Sequence, residues 1–129
     1  MTMPTPHFSE AELTCGCGCG RGSCFMDKEF LVKLETLRTA LNEPIVITSG
    51  FRCYNYNISD KVGGALDSLH LVGKAVDIAV VSTDKRMRLV SLAIALGFRG
   101  IGLDAGFLHL DTRSGFPVMW LYPKRSKRL

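Results

Sequence analysis

The stretch of sequence that decides the fold is Ser68-Leu69-His70-Leu71-Val72-Gly73-Lys74-Ala75-Val76-Asp77. It leads from a glycine-containing loop into the apolar run 75–81, which predicts a buried strand. Gly73 permits a turn that could fold His70 back beside Asp77. Asp77 has apolar neighbours on both sides, where a lone carboxylate is unfavourable unless it is paired or bound to a cation. The stretch therefore predicts a positively charged partner for Asp77.

The patterns on either side of this stretch predict an α+β domain with a small antiparallel sheet and helices on one side. Ser9 and Glu12 form a capping box that starts a short helix. Longer helices are expected at 27–41 and, capped by Thr83, at 83–96. Strands are expected at 45–48, 75–81, 100–103, 107–112 and 118–122, the last two joined by a turn at 114–115. The intervening loop 49–73 has few apolar residues, and a loop of this length is usually functional or disordered.

The N-terminal segment 8–26 is rich in cysteine. The five cysteines of the chain are Cys15, Cys17, Cys19, Cys24 and Cys53. Glycines alternate with the first three and exclude a regular element, so this part is a loop held by its sulfur atoms. The sulfurs could form disulfides, which need an oxidising compartment, or bind a structural metal, which a reducing cytoplasm allows. The odd number leaves at least one thiol over if every bond is an intrachain disulfide, and the sequence leaves both interpretations open.

Length and composition place these features in a single domain, 1–129. The chain has 129 residues, 47% of them hydrophobic, which is enough to bury a core and too few for two ordinary domains. It lacks the roughly 18 to 20 apolar residues that span a bilayer, and its first nine residues lack the pattern of a secretory signal. The net charge of +4 is concentrated in a basic tail, 123–129, which is either solvated or drawn to polyanionic cell wall or anionic lipid. No nucleic-acid module accompanies this charge, so nucleic acid is not an expected partner.

The three histidines, His7, His70 and His109, limit how a histidine-based metal site can be built. Strand periodicity places His109 and Asp111 on one face of their strand, where Asp77 could join them. Two histidines and one carboxylate would leave the fourth position of a tetrahedral zinc open, as a catalytic site requires. Such a metal lowers the pKa of its water and polarises a peptide carbonyl.

Four motifs together resemble, in order and spacing, those of the M15 zinc peptidases. They are Ser49-Gly50-Phe51-Arg52, Val62-Gly63-Gly64-Ala65, Ser68-x-His70-x-x-Gly73-x-Ala75-x-Asp77 and Phe107-x-His109-x-Asp111. This family comprises D-Ala-D-Ala carboxypeptidases and related L,D- and D,D-endopeptidases, and it shares its fold with the hedgehog signalling domain. The resemblance is greatest to the short phage and prophage branch and covers residues 8–122.

The resemblance implies a role for five residues. His70, Asp77 and His109 would be the zinc ligands. Arg52 would face the substrate, where it binds a terminal carboxylate or stabilises the oxyanion, unless it braces its own loop instead. Ser68 would lie beside the substrate as a loop-shaping hydroxyl rather than as a nucleophile, because no histidine pair or oxyanion motif surrounds it.

The general base is the position at which this chain departs from the family. Many members place Glu or Asp three residues before the last histidine, where this chain has Gly106. Asp111 is the candidate base because it shares a strand face with His109, and Asp104 is the reserve candidate. Asp111 could instead orient a ligand histidine through a hydrogen bond.

The expected function is zinc-dependent hydrolysis of peptidoglycan stem peptides, by carboxypeptidase or endopeptidase action. A monomeric enzyme of phage type would reach the cell wall from the host cytoplasm at lysis, or be carried on the virion. The alternative is a non-catalytic, zinc-containing module of the same fold that binds cell wall, which the missing acid at residue 106 favours. A cysteine-rich structural protein would explain the N-terminal loop but leaves the four motifs unexplained.

Overall fold

A five-stranded mixed sheet and two long helices form the centre of the fold. The computed structural model describes residues 5–123, so the predicted basic tail lies, after its first residue, outside the described residues. The helices are α1 (Glu10–Leu13), α2 (Lys28–Leu41), α3 (Tyr54–Asn57) and α4 (Thr83–Leu96). The strands are β1 (Ile47–Ser49), β2 (Ala75–Ala79), β3 (Gly100–Leu103), β4 (Phe107–Asp111) and β5 (Val118–Leu121). The predicted α+β class is confirmed.

The strands are arranged in the order β1-β2-β4-β3-β5. All neighbouring strands are antiparallel except β3 and β5, which are parallel. The expectation of a wholly antiparallel sheet, with a turn that pairs the last two strands, is therefore wrong at β5. Both edges of β4 already carry a neighbour, so the chain must cross to the free edge of β3 before β5 can pair.

The two faces of the sheet differ in polarity because side chains alternate along each strand. The apolar face contributes to the hydrophobic core through Val76, Ile78, Leu108 and Leu110. Buried residues of α2 and α4 belong to the same core, so the two long helices cover this face. The alternate positions, occupied by Asp77, His109 and Asp111, lie on the other face. That polar face is left for the candidate site.

Capping side chains define the helix starts. α1 begins with the predicted capping box, in which Ser9 and Glu12 exchange hydrogen bonds. The cap of α4 is Ser82 rather than the predicted Thr83, because the Ser82 hydroxyl accepts a hydrogen bond from the backbone N–H of Lys85. Within residues 5–123, no helix is long and apolar enough to cross a membrane.

The predicted loop 49–73 contains short regular elements and is held in place by the backbone. It includes α3 and a 3-10 turn, each of four residues, which is too short to show a helical period in the sequence. The N–H of Phe51 donates to the C=O of Leu13, and the N–H of Arg52 donates to the C=O of His70. These hydrogen bonds fix the loop beside the polar face of the sheet.

Candidate active site

Three potential metal ligands converge on the polar face of the sheet. Asp77 of β2 lies directly opposite His109 of β4 in the antiparallel register. His70 belongs to the 3-10 turn Leu69–Val72, which returns the chain to the start of β2. Asp77 Oδ1 lies 3.3 Å from His70 Nε2 and 3.2 Å from His109 Nδ1. The structure therefore brings together the three residues that the sequence singled out as ligands.

In each histidine, one ring nitrogen donates a hydrogen bond to another partner, and this turns the second ring nitrogen towards Asp77. His70 Nδ1 donates to the C=O of Gly50 at 2.8 Å, and His109 Nε2 donates to Asp111 Oδ2 at 2.7 Å. His70 Nε2 is left buried, without a hydrogen-bond partner among the described residues. Two ring nitrogens and a carboxylate oxygen thus face the same small volume, and a cation satisfies all three.

Burial and charge prepare these side chains to bind a metal. None of the three is more than 8% exposed. Burial lowers the pKa of His70, which favours the neutral imidazole that metals bind. Burial opposes ionisation of Asp77, but the facing rings of His109 and His70 outweigh it and hold the pKa of Asp77 well below its usual value. Two imidazoles and one anionic oxygen are a donor set that zinc commonly takes in proteins.

Arg52 is bound to the metal-site carboxylate. Its Nη2 donates to Asp77 Oδ2 at 2.9 Å, which leaves Oδ1 to face the two histidines. Its Nε donates to Ser49 Oγ at 3.0 Å, and its Nη1 donates to Asn57 Oδ1 at 3.2 Å. Asn57 is fully buried and is itself anchored by a 2.7 Å hydrogen bond to the C=O of Ala65. The guanidinium therefore braces Asp77 while it also lines the open cleft above it.

Asp111 lies on the far side of His109 from Asp77. Its carboxylate is fully buried and does not line the cleft. Besides His109 Nε2, it binds Arg113, whose Nε and Nη2 donate to the two oxygens at 3.0 and 2.7 Å. Burial opposes ionisation of Asp111, but the bonds from His109 and Arg113 outweigh it and lower its pKa. This geometry suits a carboxylate that orients the histidine ring, the second of the two roles considered for Asp111.

A comparison with known families identifies the family of the chain. The family model for Peptidase M15 matches residues 6–111, which contain His70, Asp77, His109 and Arg52. The chain belongs to the M15 peptidase family. Peptidases of this family depend in general on zinc, and the three converging side chains can hold that ion. No curated protein matches the chain. The match ends at the last residue of β4, so β5 lies outside it.

Asp104 and Ser68 occupy different places in this M15 peptidase. Asp104 lies in the turn between β3 and β4, where its Oδ2 accepts from the N–H of Gly106 at 2.9 Å, and it does not line the cleft. Ser68 caps the 3-10 turn, because its hydroxyl accepts from the N–H of His70 at 3.2 Å. Ser68 also lines the cleft. The structure thus brings Ser68, but not Asp104, into the neighbourhood of the ligands.

The three candidate ligands form part of the wall of a cleft of about 810 Å³. Trp120 of β5 packs against His109 with ring centroids 5.2 Å apart, and Tyr122 lies beside Trp120 at 6.1 Å. The Arg113 guanidinium lies over the Trp120 ring, 5.0 Å from its centroid. Burial raises the pKa of Tyr122, so its phenol is a neutral hydrogen-bond donor at the cleft wall.

Sequence reasoning missed three charged residues of this cleft, Asp67, Lys74 and Arg113. Among the carboxylates of residues 5–123, Asp67 is the one besides Asp77 that lines the cleft, and it is exposed. Its position directly before the Ser68 motif was the available signal, but an isolated acid in a polar loop is too common to be informative. The signal for Arg113 was its place two residues after Asp111. That spacing is informative only when the Asp111 side chain is known to point away from Asp77 and His70.

The cysteines form a second cluster. Atoms of Cys15, Cys17, Cys19 and Cys53 lie within 4.8 Å of one another. Cys24 lies outside this group, in the 3-10 turn Ser23–Phe25. No disulfide joins any of the five cysteines.

Proposed function

We propose that this M15 peptidase is a zinc enzyme that hydrolyses stem peptides of bacterial peptidoglycan. The observation that supports the zinc site most strongly is His70 Nε2, which is buried without a hydrogen-bond partner and faces Asp77 and His109. Three protein ligands leave one position of a tetrahedral ion for water or substrate, as catalytic zinc sites do. When bound, zinc supplies Lewis acidity that activates a water nucleophile and polarises the scissile carbonyl.

The charge of the cleft supports an acidic peptide as substrate. Arg52, Lys74 and Arg113 all line it. The guanidinium of Arg52 has five N–H donors, and the described contacts use three of them. The remaining donors can bind a substrate carboxylate or the oxyanion that develops during hydrolysis. In this proposal Arg52 both orients Asp77 and grips the substrate.

Proton transfer is assigned in this proposal to Asp67 rather than to Asp111 or Asp104. Asp111 is buried behind His109, and Asp104 accepts the hydrogen bond of its own turn. Asp67 is exposed at the cleft and can exchange protons with solvent and substrate. Asp111 then acts as a positioning residue that keeps the His109 ring turned towards Asp77.

The function is tested by digesting purified peptidoglycan with the zinc-loaded protein and weighing the soluble products by mass spectrometry. The expected products are stem-peptide fragments; release of single D-alanine marks a carboxypeptidase, and cleaved cross-links mark an endopeptidase. His109→Ala should abolish the products, whereas His7→Ala, at an exposed histidine remote from the cleft, should not. Asp67→Asn should slow cleavage without loss of zinc.

A protein that holds zinc at the three ligands but releases no fragments would contradict the proposal. The cell-wall-binding module would then be the better account, which Gly106, in place of the family acid, already favours. Sedimentation with intact cell walls distinguishes that outcome from an inactive preparation, because the binding module co-sediments. For an active enzyme we propose action in the cell wall, reached at lysis or from the virion.

A further inference from the structure

Four cysteine sulfurs meet beside the start of α3, and none of these residues lines the cleft. Cys15, Cys17 and Cys19 lie in the glycine-rich loop after α1, and Cys53 directly precedes α3. The sulfur of Cys17 lies 3.5 Å from that of Cys15 and 3.6 Å from that of Cys53. Metal–sulfur bonds of about 2.3 Å in a tetrahedron place neighbouring sulfurs about 3.8 Å apart. The observed spacing is therefore close to that of a four-sulfur metal site.

Backbone N–H groups lie near the four sulfurs, and the one from Cys53 donates a hydrogen bond to Cys15 Sγ at 3.4 Å. The amides are those of Cys53 for Cys15, of Cys19 for Cys17, of Arg21 for Cys19 and of Tyr56 for Cys53. Amide donors stabilise the thiolate over the thiol, and the thiolate is the form that binds metals. Amides beside the sulfurs thus favour negative charge on the cluster.

Two glycines produce two of these contacts in the same way. Gly18 follows Cys17 with a φ of 85°, and Gly20 follows Cys19 with a φ of 83°. This left-handed conformation turns the next amide back towards the preceding sulfur, and residues with a side chain rarely adopt it. The alternation of cysteine and glycine therefore repeats one local unit, a sulfur followed by the turn that provides its amide donor.

Hydrogen bonds shift the pKa values of two of these thiols in opposite directions. The N–H of Arg21 lowers the pKa of the Cys19 thiol to about 7. Hydrogen bonding with Cys15 and Cys19 has the opposite effect on Cys17 and raises its pKa to about 12. A divalent metal that binds such a group of thiols replaces their protons.

We propose that Cys15, Cys17, Cys19 and Cys53 bind a structural zinc ion that is separate from the peptidase site. Four thiolates complete a tetrahedral shell, so this ion has no open position for a substrate. Cys24, which is exposed and outside the group, is then the odd cysteine of the chain. This proposal decides between the two interpretations of the cysteines in favour of the metal.

The site would hold Arg52 in place. It joins two segments that are 38 residues apart in the chain, and Arg52 directly precedes Cys53. The same two segments are joined by the hydrogen bond from the N–H of Phe51 to the C=O of Leu13. Loss of the ion should therefore loosen the loop that carries the Arg52 guanidinium towards the cleft, without removing a ligand of the peptidase zinc.

The test is metal content by mass spectrometry on the full chain, purified under reducing conditions. The expected result is two zinc ions per chain, falling to one in Cys53→Ser and in Cys17→Ser and staying at two in the matched control Cys24→Ser. Cobalt(II) loading adds a second readout, because thiolate-to-cobalt charge-transfer absorption should appear in the native protein and in His109→Ala but not in Cys53→Ser.

Three results would overturn the proposal. One is a native protein whose single zinc is lost in His109→Ala and retained in Cys53→Ser. Another, in protein purified without a reductant, is a mass lower by two hydrogen atoms per bond with four cysteines closed to thiol reagents, which shows disulfides. The third is iron in place of zinc at the four sulfurs. If the Cys variants fail to fold, cobalt absorption and thiol titration of the native chain give the same decision. None of these measurements depends on peptidase activity, so a negative result for the four-cysteine site is distinct from a failure of the proposed function.

Discussion

The His70–Asp77–His109 cluster and the four-cysteine cluster are built in opposite ways. In the first, the register of β2 and β4 sets two ligands side by side, and partners elsewhere in the fold orient each ligand. In the second, the glycine-rich loop surrounds its own sulfurs. For three of the four sulfurs, the neighbouring backbone amide is at most three residues away in the chain. The first cluster therefore depends on the completed fold, and the second depends mainly on local chain geometry.

The donor sets of the two clusters also suit different tasks. Two imidazoles and one carboxylate at the wall of a cleft leave room for water and substrate. Four sulfurs enclose an ion completely. If both clusters bind zinc as proposed, this small chain separates chemistry from stabilisation: the sheet holds the open site, and the closed site adds rigidity where the sheet does not reach.

The largest effect is expected from His109→Ala. It removes one of three ligands of the open site, so peptidase activity should fall to background and one zinc ion should be lost, because two ligands hold zinc poorly in water. The thiolate-bound ion should remain. Activity and metal content of the same preparation provide the measurement, with His7→Ala as the control. Retention of activity by His109→Ala would end the assignment of this residue as a ligand.

A smaller effect is expected from Asp111→Asn. The amide no longer imposes the His109 tautomer that turns Nδ1 towards Asp77, so zinc affinity or activity should fall about 10- to 100-fold. Asp104→Asn, the matched control, should change neither. The measurement is zinc affinity by competition with a chelator, alongside kcat. If Asp111 were the general base, kcat would collapse while zinc affinity stayed at its native value.

A lower pH should weaken zinc binding at the open site, because His109 becomes protonated. Burial disfavours the charged form of His109, but the carboxylates of Asp111 and Asp77 outweigh burial and raise its pKa above the usual value. A raised pKa means that the proton stays on the ring to a higher pH. Proton and zinc compete for the same nitrogen, so affinity at the open site should fall as the pH drops through this pKa, by about tenfold per pH unit at most.

This pH dependence is measured by zinc titration of Cys53→Ser, in which the open site is the remaining zinc site. Binding should also release protons to the buffer, and the number released should decrease as the pH rises. An affinity that does not change from mildly alkaline to mildly acidic buffer would show that His109 is neutral throughout, contrary to its two carboxylate partners.

The strands, the long helices and the face of the sheet that carries His109 could be predicted from the sequence, for identifiable reasons. Alternation along β4 placed Leu108 and Leu110 in the core and His109 on the other face, which the structure confirms. The capping box at Ser9 and the helical spacing over 27–41 gave α1 and α2 nearly to the residue. Such features depend on a few neighbouring residues, so a local pattern contains the information.

What could not be predicted depends on contacts between distant segments. Strand periodicity places Asp111 on the same face as His109, but it does not say which ring nitrogen the carboxylate meets. The pattern of β5 predicts a strand without saying which strand it pairs with, and β4 was the wrong partner because both its edges were taken. The loop 49–73 hid α3 for the opposite reason, since four residues are too few to show a period.

The smallest effect is expected from Arg113→Lys, and it concerns the part of the open site that the family match leaves out. The Arg113 guanidinium donates to both carboxylate oxygens of Asp111 and lies over the Trp120 ring of β5. Lysine keeps the charge but loses the bidentate bond and the stacking, so Asp111 should hold the histidine less rigidly and activity should fall several-fold, less than in Asp111→Asn. Arg99→Lys is the matched control, because that arginine binds a loop carbonyl on the same edge of the sheet without contact to Asp111 through its side chain.

An Arg113→Lys variant as impaired as Asp111→Asn would mean that Arg113 itself binds the substrate. A rise in KM at constant zinc affinity would show this. A fully active variant would mean instead that the sheet alone positions Asp111, and the contrast between an open site held by distant partners and a closed site held by its own loop would be weaker than the contacts imply.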